Sequence, residues 1–254
     1  MNKEIIDLKN IYFSYNGETV LENINLKIVK NDFMAIIGPN GGGKTTLLKL
    51  ILGLVKPSKG SISVMGKTPE KGRRHIGYLQ QHPDLDMRFP ISVYEAVLMG
   101  RYRGIARKYT PEDREAVKEA LATIGMLKLK ERHIGMLSGG QLQRVLIARA
   151  TVREPVLLLM DEPMASIDPE MQKSMYELFT RLSKKMAVVF VTHDISAISI
   201  YVKKVVCLNR KLFYHGPKEG SLGKLEKTYG CPVEAIAHGI PHRVLKKHLD
   251  GPDG

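Results

Sequence analysis

A short run without a polar side chain, Phe33 to Ile37, breaks off at Gly38 and passes through Pro39, Asn40, Gly41, Gly42 and Gly43 into Lys44-Thr45-Thr46 and a pair of leucines. Glycine inside regular structure costs about 0.5–1 kcal/mol relative to alanine. Four glycines in six residues therefore mark a place where bare backbone is needed. The spacing Gly38-x4-Gly43-Lys44-Thr45 fits a phosphate-binding loop between a buried strand and a helix. In such a loop successive N–H groups point at a polyphosphate, and the helix starting near Lys44 adds its positive end. Lys44 then reaches the β- and γ-phosphates, and the Thr45 hydroxyl is a ligand for Mg2+. A glycine-rich turn that merely caps a helix is the plain alternative. The strand before and the helix after favour the nucleotide.

The remainder of the chain alternates strand and helix patterns. Leu21, Ile24, Leu26 and Ile28 give an early strand pattern. Leu47, Leu48, Ile51 and Leu54 recur at helical spacing, which predicts a helix closed by Pro57 and Gly60. "GSISVMGK" returns to strand. From about Gln81 to Glu154 the texture is helical. Thr110-Pro111-Glu112-Asp113 reads as cap, first-turn proline and first-turn acids, with Val117, Leu121 and Ile124 as the apolar face up to Gly125. A second helix is expected from Ser138 and a third from Asp168-Pro169. "VLLLMDEP" and "MAVVFVTHD" read as buried strands, and a hairpin is expected across Asn209 to Lys211. The pattern predicts an α/β core interrupted by a helical insert.

Two further stretches carry chemistry. "VLLLMDEP" ends a buried strand on two acids, Asp161 to hold Mg2+ and Glu162 to polarise an attacking water. "LSGGQ", Leu137 to Gln141, places a serine and two glycines ahead of a helix, a second place where N–H groups and a helix end can meet a γ-phosphate. A plain N-cap turn is its bland reading. Two phosphate-gripping loops in one chain suit a head-to-tail dimer, with each nucleotide between the loop of one subunit and the LSGGQ of the other.

In motif order, from about Leu8 to Gly216, the chain resembles the ATP-binding cassette family. The resemblance implies a P-loop NTPase (RecA-like) core with an antiparallel β subdomain and an inserted helical subdomain. The expected boundaries are core 1–82, helical subdomain 83–155, core 156–216 and a C-terminal extension 217–254. It also implies that Tyr15 stacks on adenine and that Gln81 senses Mg2+ and the γ-phosphate. Asp168 would lie in a loop that crosses the dimer, and His193 would contact the γ-phosphate. The nucleotide contacts are then Tyr15, Gly38, Pro39, Asn40, Gly41, Gly42, Gly43, Lys44, Thr45 and Thr46, with Ser138, Gly140 and Asp168 at the dimer contact. The catalytic set is Glu162, His193, Lys44 and Gln81, and Thr45, Gln81 and Asp161 are the Mg2+ set.

The stretch "DMRFPISVYEAVLMGRYR" and the tail "YGCPVEAIAHGIPHRVL" resemble cassettes of zinc and manganese importers. That implies an ATPase coupled to integral-membrane permease subunits at the cytoplasmic face of the membrane, with an extracytoplasmic metal-binding protein as an indirect partner. Iron-chelate and cobalamin importers share much of this region. The rival classes are a soluble ATPase acting on nucleic acid, which the net charge of +13 favours, and an iron–sulfur assembly ATPase. Only 93 residues separate Lys44 from Ser138, and no heptad run or aromatic-interleaved basic stripe appears, so no nucleic acid is expected. No apolar run approaches the roughly 20 residues that cross a bilayer. "MNKEIIDLKN" lacks a signal-peptide core, and two cysteines suit a reducing compartment. The tail gathers Cys231, His238, His242 and His248, with Gly239 and Pro241 disfavouring a helix. Packed cysteine and exposed histidines are the plainer expectation there, and zinc sensing is the alternative.

Overall fold

A computed structural model describes residues 3–81, 86–104, 107–165, 167–192 and 201–218. The chain opens with β1 (Glu4–Tyr15) and β2 (Glu18–Val29), joined at Asn16-Gly17. Asn-Gly is the residue pair that two-residue hairpins prefer. β3 (Phe33–Ile37) follows, then α1 (Lys44–Ile51), β4 (Lys59–Val64), the single turn α2 (Pro69–Gly72) and β5 (Ile76–Leu79). Among the described residues three α-helices come next without an intervening strand: α3 (Val93–Leu98), α4 (Pro111–Thr123) and α5 (Gly139–Thr151). The chain then alternates through β6 (Leu157–Asp161), α6 (Pro169–Leu182), β7 (Ala187–Val191), β8 (Lys204–Asn209) and β9 (Lys211–Pro217).

Two sheets result. The small one is antiparallel, in the order β2-β1-β4, and the large one runs β5-β6-β7-β3-β8-β9. In the large sheet β5, β6, β7, β3 and β8 are parallel and only the β8–β9 edge is antiparallel. β3, β6 and β7 are buried along their whole length, which is why they read as unbroken apolar runs rather than alternating ones. One face of the sheet packs with α1 and the small sheet around Leu21, Leu47, Ile51 and Leu159. The other face packs with α3 to α6 around Val97, Leu121, Leu146 and Phe179. The site sits where β3 and β6, adjacent to β7 on either side, reach their carboxyl ends, as open α/β sheets arrange ligand crevices.

The expected elements at 111, 138 and 168 are present, each with a side-chain N-cap: Thr110, Ser138 and Asp168. The hairpin turns at Arg210, at φ 56° between β8 and β9. The helix after the glycine loop is shorter than its leucine spacing suggests. α1 ends at Ile51, Gly53 takes φ 65°, and Leu54 is 55% exposed rather than on the apolar face. Gly53 lies against the backbone of Pro69 and Glu70, so the left-handed residue, not Pro57, stops the helix.

Candidate functional site

Gly38, Pro39, Asn40, Gly41, Gly42, Gly43, Lys44, Thr45 and Thr46 line a cleft of about 760 Å3 together with Val20, Gln81 and Glu162. Two of the glycines answer to space. A methyl group on Gly38 would overlap the Leu208 carbonyl oxygen, and one on Gly43, at φ 92°, would come within 2.5 Å of Leu21 Cδ2. The loop is thus pressed between β2 and the end of β8. It is also tied there, since the Arg210 N–H donates to the Gly42 carbonyl at 3.0 Å. Lys44 opens α1 with 6% exposure, and its Nζ donates to the carbonyls of Gly38 at 2.9 Å and Pro39 at 2.8 Å. Burial draws its ammonium below the ordinary lysine range, against the pull of Glu162 and Asp161.

Asp161 ends β6 beneath this loop, 3% exposed, and its Oδ1 has no hydrogen-bond partner. Burial pushes its carboxyl up, a hydrogen bond from the Thr45 hydroxyl draws it down, the Glu162 charge pushes it up, and Lys44 and Lys49 draw it down. Glu162 follows at φ 46°, a left-handed backbone that costs a non-glycine residue on the order of 1–2 kcal/mol. Its N–H donates to Val191 at 3.2 Å, and its Oε2 accepts from Gln81 Nε2 at 2.7 Å. Gln81 follows β5 in the chain, so two strand ends of one sheet deliver the amide and the acid to the same point.

Other sequence-derived positions stand apart from the cleft lining. Tyr15 is 43% exposed at the end of β1, edge-on to Phe13 at 4.6 Å between ring centroids. Ser138 caps α5 in a reciprocal box with Gln141, its Oγ accepting from the Gln141 N–H at 3.3 Å. Gly140 lies against Met171, whose Cε a methyl group would meet at 2.7 Å. Met171 in turn donates its N–H to the capping Asp168 at 2.9 Å. Ser138, Gly140 and Asp168 therefore form one neighbourhood, and none of them lines the chain's own phosphate-loop cleft. His193 and the tail residues Cys231, His238, His242 and His248 lie outside the described residues.

Val20, Leu208 and Arg210 were not singled out in the sequence. Val20 belongs to an alternating strand and carries no distinguishing signal. Leu208 and Arg210 act through backbone atoms, which any residue supplies.

Residues 21–165 match the family described as ABC transporter. The zinc uptake system ATP-binding protein ZurA of Listeria monocytogenes is 40% identical over 84% of this chain and 86% of its own. The manganese transport system ATP-binding protein MntB of Bacillus subtilis is 38% identical over 89% and 92%. Among solved structures, cbiO1 of Clostridium perfringens, part of the ABC transporter complex cbiONQ, superposes with a TM-score of 0.78 at 30% identity. That superposition covers 89% of this chain and 96% of the other.

Proposed function

The chain belongs to the ABC transporter family, and from that membership we propose that it is the ATP-hydrolysing subunit of an importer for a divalent metal ion, zinc or manganese. It is an ATPase that works with a membrane permease. Among the described residues no helix is long and apolar enough to cross a membrane. Attachment at the cytoplasmic face, with a metal-binding protein on the opposite side, is part of the proposal. The metal assignment is carried by the likeness, over most of both chains, to ATP-binding proteins of zinc uptake and manganese transport.

The loop, the acids and Gln81 each have a proposed task, as does Tyr15 outside the cleft lining. The N–H groups of the non-proline residues from Gly38 to Thr46 and the Lys44 ammonium hold the triphosphate, and Tyr15 stacks on the adenine. Lys44 exchanges its two loop carbonyls for phosphate oxygens, a stronger pair because both partners are charged. The Thr45 hydroxyl, the Gln81 amide oxygen and the Asp161 carboxylate would hold Mg2+. The buried, unpartnered Oδ1 of Asp161 and this all-oxygen set suit a hard cation. The ion supplies charge neutralisation on the phosphates.

Glu162 takes the proton of the in-line water. The Gln81 amide nitrogen orients that carboxylate through Oε2. His193 steadies the γ-phosphate. Ser138 and Gly140 of a second copy close the other side of the nucleotide, and Asp168 borders that contact. That none of Ser138, Gly140 and Asp168 lines its own chain's cleft is in keeping with a head-to-tail homodimer.

Reconstitution with its permease tests the transport reading. Zinc or manganese is expected to stimulate ATP hydrolysis in proteoliposomes with the binding protein supplied. Stimulation by an iron chelate or cobalamin alone would replace the metal assignment. Glu162→Gln tests the chemistry: it should bind ATP, accumulate as an ATP-bound dimer on gel filtration and lose nearly all phosphate release. Normal turnover by that variant removes Glu162 from the role of base.

A further inference from the structure

Helix α5 begins at the LSGGQ stretch, and five residues after Ser138 it presents Gln143 toward the turn that carries Glu162. Gln143 Nε2 donates to the Pro163 carbonyl at 2.9 Å across a partly buried contact. Pro163 itself is buried and, being proline, has no N–H of its own to give. Backbone hydrogen bonds also hold the turn. The Glu162 N–H reaches Val191, and the Glu162 carbonyl accepts from Ala165, each at 3.2 Å. Between these two long bonds sits a glutamate at φ 46°, a conformation that persists only where the surroundings impose it.

The next residue of the helix, Arg144, secures the position from which Gln143 acts. Its Nη1 donates to the Ile124 carbonyl at 2.8 Å and its Nη2 to Ser174 Oγ at 3.0 Å. The donor to Pro163 is thus anchored to α4 and α6 rather than to a loose surface. We propose that Gln143 is a positioning residue for hydrolysis, fixing the Pro163 peptide and through it the left-handed turn that aims the Glu162 carboxylate. This rests on the reading of Glu162 as the base. It makes one helix serve both ends of the reaction, since its first residues are those assigned to a neighbour's γ-phosphate.

The test uses the full-length chain with two substitutions of nearly unchanged size, Gln143→Leu and Gln143→Glu. Neither touches the nucleotide cleft, so ATP affinity by equilibrium titration should stay at the wild-type value while kcat falls roughly tenfold, about the worth of one hydrogen bond next to the reacting group. The two variants should then part company with pH. In Gln143→Glu a carboxylate faces a carbonyl oxygen at pH 8. Partial burial and that acceptor raise its pKa, so as the pH falls to 6 it takes up a proton and donates again. Its rate relative to wild type should therefore climb, while the ratio for Gln143→Leu stays flat.

Adding either change to Glu162→Gln should cost little more, because the interaction acts through the missing base. Wild-type kcat in both variants overturns the proposal. So does a loss of ATP affinity equal to the loss of rate, or a pH-independent defect in Gln143→Glu. If Glu162→Gln alone keeps its turnover, the base assignment falls, and the route through it falls with it. If Glu162→Gln is inactive and the Gln143 variants are normal, only the positioning role is lost.

Discussion

Asp161 is 3% exposed at the end of β6, and burial pushes its carboxyl above the usual aspartate range. A group whose folded pKa is raised holds its proton more tightly in the native chain than in the unfolded one. Its contribution is fully favourable below the unfolded value and is lost as pH rises through the folded value, so at neutral pH the ionised Asp161 weakens the nucleotide-free fold. Asp161→Asn should raise the melting temperature of the nucleotide-free protein at pH 7, by about 2–4 °C for each kcal/mol recovered, and should abolish Mg2+-dependent turnover. The gap in melting temperature should narrow as the pH is lowered and the native carboxyl takes up its proton. A lower melting temperature for the variant at pH 7 would contradict the burial argument. Lys44 lies on the same balance with opposite charge, its ammonium destabilised by burial. Lys44→Ala should weaken ATP binding roughly 10- to 100-fold, the worth of charge-assisted hydrogen bonds to phosphate. Equilibrium titration checks it, and an unchanged affinity would end the phosphate assignment of the loop.

At the scale of an element, α5 shows how a helix cap and a ligand contact can be told apart. The Ser138 hydroxyl demonstrably caps the helix, accepting from the Gln141 N–H, while the Gln141 side chain bonds back to the Ser138 N–H at 3.2 Å. Ser138→Ala removes the cap and should cost about 1 kcal/mol of stability whatever else the residue does. Ser138→Asp keeps a good cap but brings a negative charge to the place where the partner's γ-phosphate is expected. Its thermal stability should match wild type, while ATP-dependent dimerisation on gel filtration and ATP turnover collapse. If the aspartate variant dimerises and hydrolyses ATP normally, Ser138 is a cap and nothing more. Cap residues of this kind were legible in the sequence because side chain and helix start are only three residues apart. The early stop of α1 was not. Leu54 completes the helical spacing, and only the packing of Gly53 against α2, sixteen residues further on, overrides it.

Across the whole molecule, what could be read in advance follows the same division. The alternation of strands and helices, the glycine loop and the acid pair announce themselves through residue type. The sheet order does not, nor does the clasp of Arg210 and Leu208 on the loop, because backbone partners carry no residue identity. Gln81 and Glu162 sit 81 positions apart, and only the pairing of β5 with β6 explains why they meet. That clasp bears on when, during its own manufacture, the protein becomes competent. The strand leading into the loop lies between β7 and β8, and the loop is braced by the turn at Arg210, all of which leave the ribosome more than 140 residues after Lys44. A nascent chain that has exposed only its first half carries the loop's letters without its shape. Chains stalled on the ribosome at increasing lengths should therefore fail to bind a fluorescent ATP analogue until the hairpin at 209–211 is outside the exit tunnel, and then gain binding in one step. Retention of the analogue by chains ending before β7 would show the loop to be self-sufficient. On the arrangement described, an unfinished copy does not sequester nucleotide, and the cell's ATP meets this protein only once its core is whole.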